Sequence, residues 1–313
     1  MSLEISMKNK TEFLNLFGLP VIDAHSLTLK SKANLYVLKI NAGTFDYESM
    51  INELGNASTH YVLSRGRIQD LSQEEGKNWQ LMSEVVSKFK DWGKNDGEGG
   101  ELLLYCFLET HLNAPKLLSK MELKTANNDY IKGSDGIHLL KIADNDYQII
   151  YGESKMYANL TDGIREAISS LKSLKDKGFN TEASLVDSNI MKESLNQEEL
   201  AYIKSVLIPA KDPSNIIQRN NAFGVFLSFE IDISQWDLQN MKDEDIDNQI
   251  RSTVKSTFEA QFENIRNQIV KSGLDGHHFY FYSIPFLKKD NANISLDQTR
   301  KDIIKKITFN DSN

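Results

Sequence analysis

The chain has 313 residues, 40% of them hydrophobic and 26% charged, which describes a globular protein of one large domain or two ordinary ones. A net charge of −8, from 36 basic against 44 acidic residues, argues against broad electrostatic coating of nucleic acid. The single Cys106 excludes an intrachain disulfide and a cysteine-built zinc site, and no apolar run approaches the ~20 residues of a membrane span.

The opening residues are polar and mixed in charge, so no secretory signal is expected and the expected compartment is cytoplasmic. Phe13–Pro20 is a short apolar piece closed by Gly18 and Pro20, and Asn34–Ile40 predicts a strand. Tyr47–Leu54 predicts a helix and His60–Ser64 a second strand. Ser72 stands at capping-box spacing before Glu75 and predicts a helix reaching Trp92. Gly93–Gly100 is the most linker-like stretch of the chain. The expected boundary therefore separates residues 1–96, a small α/β region, from residues 97–313. Glu101–Leu112 predicts a helix with Leu102, Leu103, Cys106 and Phe107 on its apolar face, and Glu101 and Glu109 on a neighbouring stripe. Met121–Thr125 predicts the first core strand of the second region. Lys120 and Lys124 then share a strand period and a face that suits a phosphate backbone, although a solvated edge explains the same two lysines.

A hairpin follows. Apolar residues run from Ile137 to Ile142 and from Tyr147 to Tyr151, with the turn signal Asp144-Asn145-Asp146 between them. A turn centred on Asn145 makes antiparallel partners sum to about 290, which sets Asp135 opposite Lys155 and Glu153 one diagonal step away. Alternation places Glu153 and Lys155 on one face and Ser154 on the other. The diagonal distance is roughly 7 Å, near enough for two carboxylates to hold one metal ion. Hard oxygen ligands recruit Mg²⁺ or Mn²⁺. Such an ion polarises a phosphodiester and acidifies an attacking water. A lysine orients that water or neutralises charge growing on the phosphate. Asp135, Glu153 and Lys155 are thus the candidate catalytic residues, with Asp135 and Glu153 as metal ligands. Glu-x-Lys alone is also a common cross-strand charge pattern. Two features set this one apart: the buried apolar run before it, and the Gly133-Ser134-Asp135-Gly136 bend that brings Asp135 to the same end.

Thr161–Lys177 predicts the helix that covers this hairpin, capped by Thr161 or Asp162 and ended by Gly178; Tyr157 lies in the connection beside the Glu-x-Lys end, within reach of a substrate. Residues 179–221 read as a helical insertion containing a helix over Gln197–Leu207. Ala222–Ile231 predicts a buried central strand, Lys242–Lys271 a long helix, His277–Leu287 a last strand ended by Pro285, and Ser295–Ile307 a closing helix. His277 and His278 point to opposite faces of that strand and cannot easily share an ion, and His138 reads as structural. No Gly-x-x-x-x-Gly-Lys-Ser/Thr loop is present, so the chain is not itself a nucleotide-driven motor. The order of elements gives a mixed α/β core with a central sheet flanked by helices.

Three segments carry a resemblance to known proteins: Leu118–Thr125, Lys132–Gly136 and Gly152–Tyr157. On these the chain resembles the PD-(D/E)xK nuclease superfamily and, more narrowly, the HamA family of nuclease effectors of the Hachiman antiphage defence system. Gly133-Ser134 stands where that motif's proline-aspartate pair begins. The resemblance implies a restriction-endonuclease-like core in residues 97–313, metal ligands at Asp135 and Glu153, and a catalytic lysine at Lys155. It further implies a supporting acid on the helix before the hairpin, with Glu101 favoured as a metal ligand over Glu109. The implied activity is Mg²⁺- or Mn²⁺-dependent hydrolysis of DNA under the control of a partner helicase, HamB. Two alternatives stand beside it: a non-catalytic nuclease-like subunit of a helicase complex, and an RNase.

Overall fold

In the computed structural model, residues 3–8, 10–41, 43–89, 97–124, 133–179, 192–207, 217–289 and 294–310 are described. The N-terminal elements are α1 (Lys10–Asn15), β1 (Ile22–Thr28), β2 (Ser31–Leu35), the short pair β3 (Ile40–Asn41) and β4 (Thr44–Phe45), α2 (Tyr47–Val62), α3 (Arg65–Gln73) and α4 (Asn78–Lys88). Then follow α5 (Glu98–Thr110), β5 (Lys116–Ser119), α6 (Lys120–Leu123), β6 (Gly136–Ala143), β7 (Asp146–Lys155) and α7 (Leu160–Lys177). The chain closes with α8 (Gln197–Leu207), β8 (Gln218–Asp232), α9 (Asp243–Glu259), α10 (Phe262–Lys271), β9 (His278–Lys288) and α11 (Leu296–Thr308).

Seven strands form one mixed sheet in the order β1-β2-β9-β8-β7-β6-β5. Its centre, β7-β8-β9-β2, is parallel, and its two margins, β1-β2 and β7-β6-β5, are antiparallel. The α/β class with a mixed, helix-flanked sheet is the one the sequence predicts. β8 is buried from Ala222 to Phe229, as expected of a strand covered on both faces. The expected boundary near residue 96 falls on residues outside those described. On either side of it the chain shares one sheet and one hydrophobic core, because β2 pairs with β9 through Ser31↔Phe279 to Leu35↔Ser283.

Several local expectations give way to packing. His60–Ser64 is not a strand: α2 runs on to Val62, burying Tyr61 and Val62, and Ser64 caps α3 by accepting from the Arg67 N–H. The helix predicted from Ser72 is two helices, α3 and α4, parted by the Glu74–Lys77 turn with Gly76 at φ +83°. Lys242–Lys271 likewise breaks at Ala260-Gln261 into α9 and α10. Met121–Lys124 is not a strand, and Thr125 lies outside the described residues; the strand before the hairpin is β5, and Ser119 caps the helical turn α6 by accepting from the Glu122 N–H. Pro285 does not end β9. It pairs with Phe229 on β8, at a point where β2 has already ended opposite Ser283, so its missing N–H has no strand to meet.

Candidate active site

The hairpin turn falls in the expected stretch but is tighter than a turn centred on Asn145: Asp144 and Asn145 form it, with Asn145 at φ +60°, and Asp146 already pairs with Ala143. Its register differs: the pairs are Gly136↔Gly152, Ile137↔Tyr151 and Leu139↔Ile149, with an irregularity between Lys141 and Ala143. The tighter turn and the bulge each lower the sum of partners by one, so Asp135 lies level with Glu153 and not opposite Lys155. A shift of two leaves every side chain on its predicted face. The Asp135 N–H donates to the Gly152 carbonyl at 2.9 Å, and the Ser154 N–H donates to Asp135 Oδ2 at 2.8 Å. Asp135 precedes the first strand residue, and these two bonds fix its carboxylate at the end of the sheet.

The covering helix forms and stops at Gly178 with φ +79°, but its cap is neither Thr161 nor Asp162: both lie in the first turn of α7, and the Asn159 side chain accepts from the Asp162 N–H. Its small Gly163 lies over Lys155, and Ser170 hydrogen-bonds the Glu153 carboxylate. α5 covers the opposite face, where Gly152 meets Leu104 and Ser154 meets Gly100. Glu101, in the first turn of α5, therefore approaches the end of β6 from the other side.

A chain of charges results. Lys155 Nζ lies 2.5 Å from Glu153 Oε1. Lys120 Nζ donates to Asp135 Oδ1 at 3.1 Å and to Glu101 Oε1 at 3.3 Å. Tyr61 donates its hydroxyl to Glu101 Oε2 at 3.0 Å. Burial, then the neighbouring charges of Glu101 and Glu153, push the Asp135 carboxyl well above the usual range, against the opposing pull of Lys120. Burial also raises Glu153, against Lys155 and the hydrogen bond from Ser170. For Lys120 burial works toward the neutral amine, but Asp135 and Glu101 outweigh it and the ammonium is held above its ordinary value. Lys155 is raised by Glu153 in the same way, again against burial. Carboxylates crowded in this manner gain from any cation that enters among them.

Glu109, the other acid considered on this helix, does different work. It is fully buried 103 residues away in sequence from one partner, accepting from the Ser6 N–H at 2.6 Å and from the Lys116 N–H at 2.7 Å. Burial lifts its carboxyl to about 7. It ties the N-terminus to β5 and does not face Asp135. Lys124 lies apart from Lys120: it is buried, bonded to Glu98 and to the Lys88 carbonyl, not displayed on a strand beside it. Tyr157 is 41% exposed beside the Glu-x-Lys end. His138 is structural, its Nδ1–H donating to the Ala114 carbonyl at 2.8 Å, with burial pushing it down to about 4. Sequence reading did not find Tyr61, which lies in a stretch expected to be a strand of a separate region, or Ser170, an ordinary polar residue of an amphipathic helix.

The donor set is hard oxygen, which suits Mg²⁺ or Mn²⁺. Among the described residues, no three His, Cys, Asp or Glu side chains gather closely enough to hold a metal by themselves. That is compatible with Mg²⁺, which commonly takes one or two carboxylates and completes its shell with water and substrate phosphates.

The model of the HamA family matches residues 15–307. The chain belongs to the HamA family. The match spans both the N-terminal strands and the closing helix, so the family's extent coincides with the single sheet and not with residues 97–313 alone. HamA membership points to a protein of the Hachiman defence system. No curated protein matches the chain. No helix among the described residues of this HamA-family chain is long and apolar enough to cross a membrane.

Proposed function

We propose that the chain is a metal-dependent deoxyribonuclease acting as the effector of a Hachiman antiphage system. The observation that carries this reading is the meeting of Asp135, Glu153, Lys155 and Lys120 at one end of the hairpin, flanked by Glu101. Asp135 and Glu153 would hold Mg²⁺ or Mn²⁺. The ion, when bound, would supply Lewis-acid polarisation of the scissile phosphate and a more acidic water. Lys155, kept fully cationic by Glu153, stands where charge on a phosphodiester needs neutralising. Lys120, paired with both Asp135 and Glu101, offsets the repulsion between them. The alternative, a non-catalytic nuclease-like subunit, draws on the absence of a preassembled three-ligand cluster among the described residues.

Metal linkage separates the two. A cation that binds only the folded state stabilises it by about 2.7 kcal/mol when present at a hundred times its dissociation constant. Thermal melts across a Mg²⁺ or Mn²⁺ titration are expected to rise in the wild type and to stay flat in Asp135→Ala/Glu153→Ala. An equal rise in both proteins would count against a site between these residues.

Control is expected from the helicase, HamB. The chain is acidic overall, so its own grip on DNA should be weak and salt-sensitive. The expected outcome of co-purification is a stable complex that is quiet when idle and cleaves DNA once ATP-dependent engagement of suitable DNA exposes the site. Plasmid degradation, with RNA run in parallel, measured with and without ATP, tests this. Failure of the two proteins to associate, or cleavage that ignores the helicase in every nucleotide state, would discard the control mechanism but not the nuclease.

A further inference from the structure

The N-terminal region reaches the candidate site through Tyr61. Tyr61 sits in the last turn of α2, is 1% exposed, and packs its ring 5.4 Å from that of Tyr105. With its hydroxyl on Glu101 Oε2 and Lys120 on Oε1, the Glu101 carboxylate is held from two sides. Where Tyr61 stands depends on where α2 ends. The carbonyls of His60, Tyr61 and Leu63, left open by the end of the helix, all accept from one ammonium, Lys116 Nζ, at 2.9, 3.3 and 3.0 Å. A cation there also suits the negative end of the helix dipole.

Lys116 is completely buried, and a buried ammonium needs counter-charge. It has two acids. Glu193, also completely buried, lies 3.2 Å away, and Glu122 lies 3.7 Å away. Glu193 belongs to the insertion. It further accepts from the Arg65 N–H at 3.3 Å, and Arg65 also pairs with Glu199 of α8 at 3.0 Å. The insertion approaches so closely that a Cβ at Gly66 would lie 2.6 Å from the Lys192 carbonyl. Glycine at that position is what lets the Lys192 backbone lie against α3.

We propose that Tyr61 is a positioning residue for Glu101, and that the Lys116–Glu193 pair holds the helix end that presents it. The N-terminal region and the insertion are then both parts of the active site, the first through Tyr61 and the second through Glu193. This rests on the nuclease reading above.

The test uses Tyr61→Phe, which removes one oxygen and keeps the ring. Loss of a side chain that orients a ligating group commonly costs roughly 10- to 100-fold in metal affinity or activity. Expected for Tyr61→Phe is a loss of that order in cleavage, with more Mn²⁺ needed for the half-maximal thermal shift. In a Glu101→Ala background, Tyr61→Phe should add nothing, because the group it positions is gone. Glu193→Gln should reproduce the Mn²⁺ defect and not add to Tyr61→Phe. Wild-type cleavage and Mn²⁺ response in Tyr61→Phe overturn the inference, as does an equal loss in the Glu101→Ala background, which would mark a general packing role. If Tyr61→Phe is unimpaired while Glu153→Ala is dead, the nuclease reading stands and only the positioning role falls. A wild type that neither cleaves nor responds to Mn²⁺ overturns both.

Discussion

Glu153→Ala, Lys155→Ala and Asp135→Ala are each expected to lower DNA cleavage by about 10² or more, the usual cost of deleting a group that stabilises charge in the transition state. Fold stability complicates the comparison, and magnitudes decide how much. Breaking a fully buried ion pair by removing one partner can cost about 3–5 kcal/mol. The Lys155 side chain, however, is 21% exposed, so water screens the Glu153 left behind, which also keeps its bond to Ser170. Lys155→Ala should therefore fold and fail to cut. Asp135 is more deeply enclosed, and its removal leaves Lys120 on Glu101 alone, so the expected melting loss is larger there. Ser154→Ala serves as the control: its Oγ faces α5, is buried without a hydrogen-bond partner, and has no route to the phosphate. Plasmid degradation with Mg²⁺ or Mn²⁺, using variants that melt above the assay temperature, reads all four. Undiminished cutting by Lys155→Ala would remove the assignment.

The hairpin was legible because two apolar runs and an Asn turn are local signals, and alternation then fixes the faces whatever the register. The register itself was not legible, since nothing local tells a two-residue turn at Asp144-Asn145 from one centred on Asn145, and the bulge beside it has no mark in Lys141-Ile142-Ala143. The edges of the sheet were harder. The strand expected at Met121–Thr125 lies earlier, at Lys116–Ser119, because Ser119 caps the helical turn that follows. His60–Ser64 has strand-like composition, but Tyr61 and Val62 find their burial on a helix face, and tertiary packing overrides the local preference. The charge relations were least legible of all. Lys116, Glu193 and Arg65 are far apart in sequence, and nothing local distinguishes a lysine that will be buried on three carbonyls from one that will be solvated.

The Gly97–Gly100 stretch shows the same limit and leads to the second large effect. Its composition reads as a linker, but Gly99 and Gly100 lie in the first turn of α5. Gly100→Ala should, by helix propensity alone, stabilise by about 0.5–1 kcal/mol. Contact geometry points the other way. A Cβ at Gly100 would stand 2.4 Å from Ser154 Oγ and 3.3 Å from Met156 Cβ, on the strand that carries Glu153 and Lys155. The first of these separations is too short for a carbon and an oxygen that are not bonded to each other. Turning Ser154 about χ1 can take its Oγ aside but not the Met156 Cβ, which the backbone fixes, so strain remains between β7, paired on both sides with β6 and β8, and α5. α5 is then pushed outward at the residue just before Glu101, which loses its geometry with Lys120 and Tyr61. Overpacking of this kind typically costs about 1–3 kcal/mol. The expected result for Gly100→Ala is a melting temperature lower by several degrees, the size such a loss gives in a domain of this length. A loss of cleavage well beyond tenfold should accompany it, because misplacement of roughly 1 Å at a reacting centre can cost about 10². Adding Ser154→Ala removes the oxygen nearest the new Cβ and should restore much of both. A Gly100→Ala protein that melts and cuts like the wild type would show that α5 need not approach so closely. A double variant no better than the single would show that the contact with Ser154 is not what this glycine relieves.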